Sequence, residues 1–137
     1  VKVDTTDDSR ILVTGGRDGV VKIWSCGQLE REAAVSSSHT FSVSRSSDGN
    51  RQQLRAMRTV RNSKAVAIGT ETGEVLLYKV ERGGASASQA CRFSGDALAK
   101  QASLPSSVMC IEQFDNELES LVMFTQEHGA VHGWDVR

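Results

Sequence analysis

Three stretches of the chain share one pattern of hydrophobic and polar positions. They begin at Ile11, Ala65 and Leu121 and align without a gap over 14 positions. Each stretch opens with an apolar run, continues through small or polar residues, and carries a glycine at its ninth position and an aromatic residue five positions later. A pattern that recurs in this way predicts a fold built from repeated units. The shared positions are Gly19, Gly73 and Gly129 for the glycine, and Trp24, Tyr78 and Trp134 for the aromatic residue.

Each copy of the pattern predicts a β-hairpin. The opening runs are rich in β-forming residues and too short for a typical helix. Asp18 and Gly19 form a common tight-turn pair, because glycine adopts positive φ freely and aspartate tolerates it. The second and third copies keep the glycine and lose the aspartate. After the glycine, apolar and polar residues alternate, as in a strand that buries one face.

Segments around the hairpins supply further candidate strands. Residues 40–43 and 89–93 follow the first two hairpins, and each predicts a fourth strand. The rest of residues 25–53 and 80–107 is rich in serine or alanine, which predicts long loops. Ahead of the second and third hairpins lie apolar residues at a spacing of three, which fits a helix as well as a strand. These are Leu54, Met57 and Val60, and their counterparts Val108, Ile111 and Phe114.

Composition places the chain among globular proteins. Its 137 residues, about one domain, are 39% hydrophobic and 24% charged. The net charge of −1 lacks the basic excess that phosphate contacts require, so we expect no nucleic-acid partner. No apolar run approaches the roughly 18 residues of a membrane span. The chain begins at Val1 without a signal-like apolar stretch, and we expect it to be a segment of a longer protein.

The residues that suggest catalysis or metal binding have a plainer explanation in each case. Residues 15–19 superficially resemble a phosphate-binding loop, but they lie within a predicted strand-turn-strand unit with no helix after it. Glu127, His128 and His132 suggest a metal site, yet Gly129 places a turn between the two histidines. The three cysteines are too few and too widely separated for a thiolate site, and we expect free thiols. The cysteines are Cys26, Cys91 and Cys110. We therefore expect no enzyme activity, metal or cofactor.

A series of basic residues is the main candidate interaction patch. Five positive charges fall within 14 residues and no acidic residue interrupts them. They could meet an acidic partner or anionic lipid headgroups. The plainer explanation, which the sequence favours, is that they lie on the solvent side of a strand and its loop and need no partner. The series consists of Arg51, Arg55, Arg58, Arg61 and Lys64.

The repeats resemble the WD-repeat β-propeller family. The resemblance is carried by residues 15–24, with the order Gly-x-x-Asp-Gly-x-Val-x-Ile-Trp, and by the Trp134-Asp135 pair. It implies an all-β, partial WD-repeat propeller of about three four-stranded antiparallel blades, with degenerate repeats and long serine-rich loops. We expect one blade with a truncated start in residues 1–53, a second in 54–106, and most of a third in 107–137. The repeats are degenerate because only Asp18 keeps the turn aspartate of the family.

Across the copies, the order and spacing are most similar to the C-terminal WD domain of p150-type regulatory subunits of class III phosphatidylinositol 3-kinase. This similarity implies a non-catalytic scaffold for protein contacts in autophagy and endosomal trafficking. The implied partners are the kinase catalytic subunit and a Beclin-type coiled-coil protein. The implied location is the cytoplasm, peripheral to endosomal or autophagosomal membranes, with membrane contact made indirectly through the complex. The alternative is a WD-repeat scaffold of another assembly, such as a ubiquitin ligase or a chromatin complex.

Overall fold

The computed structural model describes residues 2–5, 10–31, 33–45, 48–60, 64–81, 86–94, 106–113 and 121–136. Sheet 1 contains β1 (Lys2–Thr5), β2 (Ile11–Gly15), β3 (Val20–Ser25) and β4 (His39–Ser42), with the short helix α1 (Cys26–Leu29) after β3. Sheet 2 contains β5 (Leu54–Val60), β6 (Ala65–Thr70), β7 (Glu74–Val80) and β8 (Ala87–Ser94). Sheet 3 contains β9 (Val108–Gln113), β10 (Leu121–Gln126) and β11 (Val131–Asp135).

The described part of the chain is nearly all β, as predicted, with α1 as a single short helix among the described residues. It forms three successive antiparallel sheets of three or four strands, in which neighbouring strands follow chain order. This arrangement is consistent with a partial propeller-like fold. The first sheet has four strands, although the hydrophobic pattern marks only three of them. Strand β1, which pairs with β2, is the one that the pattern does not reveal.

The three predicted hairpins are present, and their turns have the same backbone geometry. The glycine has positive φ in each copy: 74° at Gly19, 84° at Gly73 and 94° at Gly129. In each turn the glycine N–H donates to the carbonyl three residues earlier, at 2.9–3.3 Å. Glycine is the residue that adopts this backbone conformation without a steric cost. The repeated glycine therefore records a repeated turn geometry.

The flanking segments are strands, so the helical alternative is wrong. Residues 54–60 form β5 and residues 108–113 form β9, whereas Phe114 lies outside the described residues. The predicted fourth strands at 40–43 and 89–93 correspond to β4 and β8. The spacing of three between Leu54 and Met57 arises because a bulge between Leu54 and Ala56 shifts the two-residue alternation, so that both side chains pack on the core shared with sheet 1, whereas Val60 faces the other core.

Sheet 2 lies at the centre of the hydrophobic core. Its two middle strands are buried on both faces, which explains their nearly continuous apolar sequence. Alternate residues of β6 and β7 face opposite directions. Ala67 and Leu77 belong to a cluster shared with sheet 3, while Ile68 and Leu76 belong to a cluster shared with sheet 1. One sheet thus joins two separate cores.

Two glycines allow the sheets to approach closely. A Cβ atom built on Gly15 would lie 2.6 Å from Leu54 Cδ2 in the first strand of sheet 2. A Cβ atom on Gly69 would overlap Val108 Cγ1 in the first strand of sheet 3. Gly15 and Gly69 occupy the same position of the repeat, as do Leu54 and Val108. The same contact therefore joins sheet 1 to sheet 2 and sheet 2 to sheet 3.

Candidate interaction surface

The chain between sheets 1 and 2 lies across the first hairpin turn. We call residues 43–45 and 48–53 the connector. Its Val43 N–H donates to the Gly19 carbonyl oxygen at 2.8 Å. At its far end, the Leu54 N–H reaches the Gly16 carbonyl oxygen at 3.4 Å. Since backbone bonds anchor both ends, the connector forms a defined surface at the turn end of the sheets.

A buried polar network fixes the connector to sheet 2. Gln52 is 1% exposed, and its side-chain amide donates to Glu74 Oε2 at 2.7 Å. The Gln52 side-chain oxygen accepts from Thr72 Oγ1. Arg92 Nη1 lies 3.0 and 3.1 Å from the two Glu74 oxygens, and its Nη2 donates to the Ser44 carbonyl oxygen at 2.9 Å. These hydrogen bonds offset the cost of burying a carboxylate and a guanidinium.

A second group of polar contacts lies nearer the solvent. Arg45 Nη2 pairs with Glu71 Oε1 at 3.2 Å, and the same oxygen accepts from the Gln53 N–H. Asp48 accepts a backbone hydrogen bond from Asn50, which lowers the pKa of its exposed carboxyl. The connector therefore presents both positive and negative side chains, and hydrogen bonds within it and to Glu71 hold its shape.

The connection between sheets 2 and 3 repeats part of this arrangement. The Glu71 N–H donates to the Gln53 carbonyl oxygen at 3.0 Å, and the Glu127 N–H donates to the Ser107 carbonyl oxygen at 2.9 Å. Ser107 Oγ also donates to the Glu71 carbonyl oxygen at 3.0 Å. In sheets 2 and 3, the hairpin turn is thus hydrogen-bonded to the residue just before the first strand of the same sheet, which is Gln53 in sheet 2 and Ser107 in sheet 3.

The two histidines of the third hairpin face different partners. His128 Nδ1 lies 2.6 Å from Ser106 Oγ. His132 Nε2 lies 2.8 Å from Gln126 Oε1, and its ring stacks on Phe124 with centroids 4.9 Å apart. These partners account for both imidazoles as structural groups of sheet 3.

The arginines of the predicted interaction patch have different surroundings where the structure describes them. Arg51 is exposed in the connector. Arg58 faces sheet 3, where its Nη2 pairs with Glu112 Oε2 at 3.4 Å. Arg55 lies at the β5 bulge, and within the described residues its buried Nε has no hydrogen-bond partner. Arg61 lies outside the described residues. The described members of the series therefore have separate surroundings.

The three aromatic positions of the repeat differ in burial. Tyr78 is 7% exposed and packs on Phe41, with the ring centroids 4.4 Å apart. Its burial raises the pKa of the Tyr78 hydroxyl, and the positive charge of nearby Arg92 opposes that rise. Trp134 is half-buried against Phe93 at 5.6 Å. Trp24 is half-buried too, and its Nε1 donates to Thr14 Oγ1 at 3.0 Å on the adjacent strand.

The two aspartates of the predicted repeat positions lie on the exposed side of sheets 1 and 3. Asp18 Oδ1 accepts from the Val20 N–H at 3.1 Å, which braces the first turn. Asp135 ends β11 and pairs in register with Leu121. Both are surface groups in the described structure.

The described residues show no grouping typical of a metal centre or a membrane-spanning helix. No group of three or more histidine, cysteine, aspartate or glutamate side chains there is arranged to hold a metal ion. Within the same residues, no helix has the length and hydropathy to cross a membrane. The three cysteines are free thiols, of which Cys110 is exposed. The candidate site in the described residues is therefore the hydrogen-bonded surface formed by the connector and the hairpin turns.

Comparison with known proteins gives distant relatives along the whole chain. The chain is 24% identical over 141 residues to "Serine/threonine-protein kinase VPS15" of Arabidopsis thaliana, an alignment that covers 98% of the chain and 9% of that protein. It is 17% identical over 138 residues to "Probable serine/threonine-protein kinase vps15" of Dictyostelium discoideum, covering 99% of the chain and 7% of that protein. The chain thus has weak homology to VPS15. It spans less than a tenth of the length of these relatives. No protein-family model matches it.

Sequence reasoning did not find the buried network of Gln52, Glu74 and Arg92. Gln52 and Arg92 lie outside the repeated stretches, and Glu74 stands at a repeat position that holds Val20 and Ala130 in the other two copies. One signal was available, since Glu74 begins a strand whose next three residues are Val75, Leu76 and Leu77. A carboxylate at such a position requires a partner, but the sequence does not identify which arginine supplies it.

Proposed function

We propose that the chain is a non-catalytic protein-interaction scaffold that forms part of a VPS15-type regulatory subunit of class III phosphatidylinositol 3-kinase. The alignment with two VPS15 proteins along the whole chain is the observation that carries this proposal. The three sheets, with their repeated turns, support a WD-repeat propeller as the form of the scaffold.

We attribute the kinase activity in the names of those relatives to a region of the longer protein outside this chain. The chain corresponds to 7–9% of their length. Its sequence has no glycine-rich loop followed by lysine, no His-Arg-Asp and no Asp-Phe-Gly, the motifs on which kinase chemistry depends. We assign catalysis to another region of the longer protein.

The proposed contacts follow from the rigidity of the turn end. Hydrogen bonds hold the connector and the three turns in place. A surface that is already ordered loses little conformational entropy when a partner binds. The proposed partners are the kinase catalytic subunit and a Beclin-type coiled-coil protein, which would place the chain at endosomal or autophagosomal membranes indirectly.

Affinity purification of the tagged longer protein from its own cells, followed by mass spectrometry, tests the proposal. We expect a phosphatidylinositol 3-kinase catalytic subunit and a coiled-coil protein in amounts comparable to the bait. A variant with Arg51→Glu and Asp48→Lys, both exposed on the connector, should reduce this recovery if the turn end makes the contact. Glu112→Gln, away from the connector, is the matched control. Recovery of a ubiquitin ligase or chromatin complex instead would favour the alternative scaffold.

A further inference from the structure

Aspartate is directly followed by glycine at two places in the chain, Asp18–Gly19 and Asp48–Gly49. Such a pair is chemically labile, because the amide nitrogen of an unhindered glycine can attack the carboxyl carbon of the aspartate side chain. The product is a five-membered succinimide ring, which reopens with water to aspartate or to isoaspartate. In isoaspartate the chain runs through the side-chain carboxyl carbon, so the backbone gains one atom.

The two aspartates hold their carboxyl groups in the same way. Asp18 Oδ1 accepts from the Val20 N–H at 3.1 Å, and Asp48 Oδ1 accepts from the Asn50 N–H at 2.9 Å. Each hydrogen bond spans the intervening glycine and closes a ring of atoms that contains the glycine nitrogen. The carboxyl group is therefore folded back toward the nitrogen that would attack it, and only the surroundings of the two pairs differ.

Gly19 is fixed beneath the connector. It is buried, its N–H donates to the Gly16 carbonyl oxygen at 3.2 Å, and its carbonyl oxygen accepts from the Val43 N–H at 2.8 Å. A Cβ atom built on Gly19 would lie 2.7 Å from the Gln52 carbonyl oxygen. An extra backbone atom at this pair would therefore require the connector to leave the first turn.

Gly49 lies at the exposed tip of the connector. A Cβ atom built on it would meet no described atom within 4 Å beyond its chain neighbours. Its N–H donates to the Arg45 carbonyl oxygen at 3.1 Å, and the Arg45 N–H donates to the Asn50 carbonyl oxygen at 2.8 Å. Because these bonds run within the connector and not to a sheet, the tip can open and lengthen locally.

One side chain at the tip opposes the reaction. Attack requires the protonated carboxyl, whose hydroxyl leaves as water. Arg45 Nη1 lies 3.9 Å from Asp48 Oδ2, and together with the Asn50 N–H it stabilises the ionised carboxylate. The pair is at the outer limit of an ion-pair distance and both side chains are partly exposed, so it slows the reaction without preventing it.

We propose that Asp48–Gly49 is a site of spontaneous backbone isomerisation, at which Asp48 becomes isoaspartate in the folded protein while Asp18 does not. In the first step the Gly49 nitrogen bonds to Cγ of Asp48, and one water leaves, formed from the carboxyl hydroxyl and the amide hydrogen. Water then attacks the main-chain carbonyl carbon of Asp48, and the bond from that carbon to the Gly49 nitrogen breaks. A free carboxylate remains at that carbon, and the mass of the chain is unchanged.

Prolonged incubation of the purified longer protein at physiological temperature and neutral pH tests the proposal. After proteolytic digestion, electron-transfer fragmentation in a mass spectrometer distinguishes isoaspartate from aspartate at each position. We expect isoaspartate to accumulate at Asp48 at least about tenfold faster than at Asp18, because the Asp18 pair reacts only after the connector has opened. The same protein incubated in denaturant is the control, and there the two pairs should react at similar rates.

Glutamate variants separate the chemistry from the charge. Asp48→Glu keeps the negative charge, but attack would now have to close a six-membered ring, which forms much more slowly. This variant should show no isomerisation at its altered position, whereas Asp18→Glu should leave the rate at Asp48 unchanged. Methyl transfer from S-adenosylmethionine by a purified isoaspartate methyltransferase gives a second readout. It should label the peptide that contains Asp48 and should not label that peptide in Asp48→Glu.

Two results would overturn the proposal. Equal rates at the two pairs in the folded protein, or a faster reaction at Asp18, would show that the connector does not protect the first turn. Isoaspartate at Asp48 that forms only in denaturant would show that the folded tip holds the pair unreactive. Neither result depends on recovery of the kinase complex, so this inference and the proposed function fail separately.

Discussion

The turn glycines at Gly19 and Gly129 share a backbone conformation but not an environment. Both have positive φ, at 74° and 94°. A Cβ atom on Gly19 would also lie 2.7 Å from the Gln52 carbonyl oxygen, whereas one on Gly129 would meet open space. Gly19→Ala therefore meets strain and a backbone clash, and Gly129→Ala meets strain alone.

We expect Gly129→Ala to lower the free energy of unfolding by about 1–2 kcal/mol, the cost of a left-handed non-glycine residue. Gly19→Ala should cost more, about 3 kcal/mol, because the connector must also shift. Urea denaturation of the two variants measures the difference. Equal costs would show that the connector does not constrain the first turn.

The two ion pairs Glu74–Arg92 and Glu112–Arg58 differ in burial rather than in chemistry. The side chain of Glu74 is 7% exposed, and that of Glu112 is 60% exposed. Glu74→Ala leaves Arg92 partly buried without its carboxylate, and we expect a loss of about 3 kcal/mol. Glu112→Ala should cost no more than about 1 kcal/mol, since water screens the exposed pair. Denaturant unfolding that ranked the two losses in the reverse order would contradict the buried network.

At the scale of elements, the close approach of sheets depends on what faces each glycine. Gly69 faces Val108, a branched side chain with few alternative rotamers, whereas Gly15 faces the flexible end of Leu54. We expect Gly69→Ala to destabilise the chain by about 1–3 kcal/mol through displacement of β9. Gly15→Ala should cost less because Leu54 can rotate away. Thermal unfolding followed by circular dichroism compares them, and a larger loss for Gly15→Ala would argue against this interface.

The aromatic residues that end the third strands should also differ in their contributions. Tyr78 is nearly buried between sheets 1 and 2, so Tyr78→Ala should cost about 3–5 kcal/mol. Trp134 is half-buried beside a cluster, and Trp24 belongs to neither cluster. Their alanine variants should therefore cost progressively less. Equilibrium unfolding gives the order, and a loss at Trp24 as large as that at Tyr78 would contradict it.

At the scale of the whole molecule, sheet 2 should be the most protected part. It is packed on both sides, while the described parts of sheets 1 and 3 each share one cluster with it. We expect amide hydrogens of β6 and β7 to exchange most slowly, because they open only when both cores open. Hydrogen exchange read by mass spectrometry measures this directly. Uniform protection across the three sheets would indicate a single cooperative unit instead.

The sequence predicted the parts of this fold that repeat. A turn with positive φ requires glycine, and a half-buried strand requires alternating apolar residues, so each hairpin leaves a local pattern in the sequence. The three hairpins predicted from that pattern are present. Strand β1 left no such pattern, and the spacing in β5 was ambiguous because a bulge shifts its alternation. The polar network could not be predicted from the sequence for another reason. Arg92 and the Ser44 carbonyl oxygen are 48 residues apart in the chain, and they meet only after two sheets have packed.

Thr125 occupies the repeat position that Gly15 and Gly69 hold in the other copies, and this difference bears on how such repeats can be exchanged. The first two hairpins are each fitted to the strand that lies against them, Leu54 over Gly15 and Val108 over Gly69, so the three copies are not interchangeable modules. A chimera that places residues 121–126 in the position of residues 65–70 would set a threonine against Val108, where even one added methyl group requires β9 to shift. Duplication of one copy would thus require compensating changes in its neighbour, which gives these repeats a physical reason to diverge in sequence while keeping the same turn.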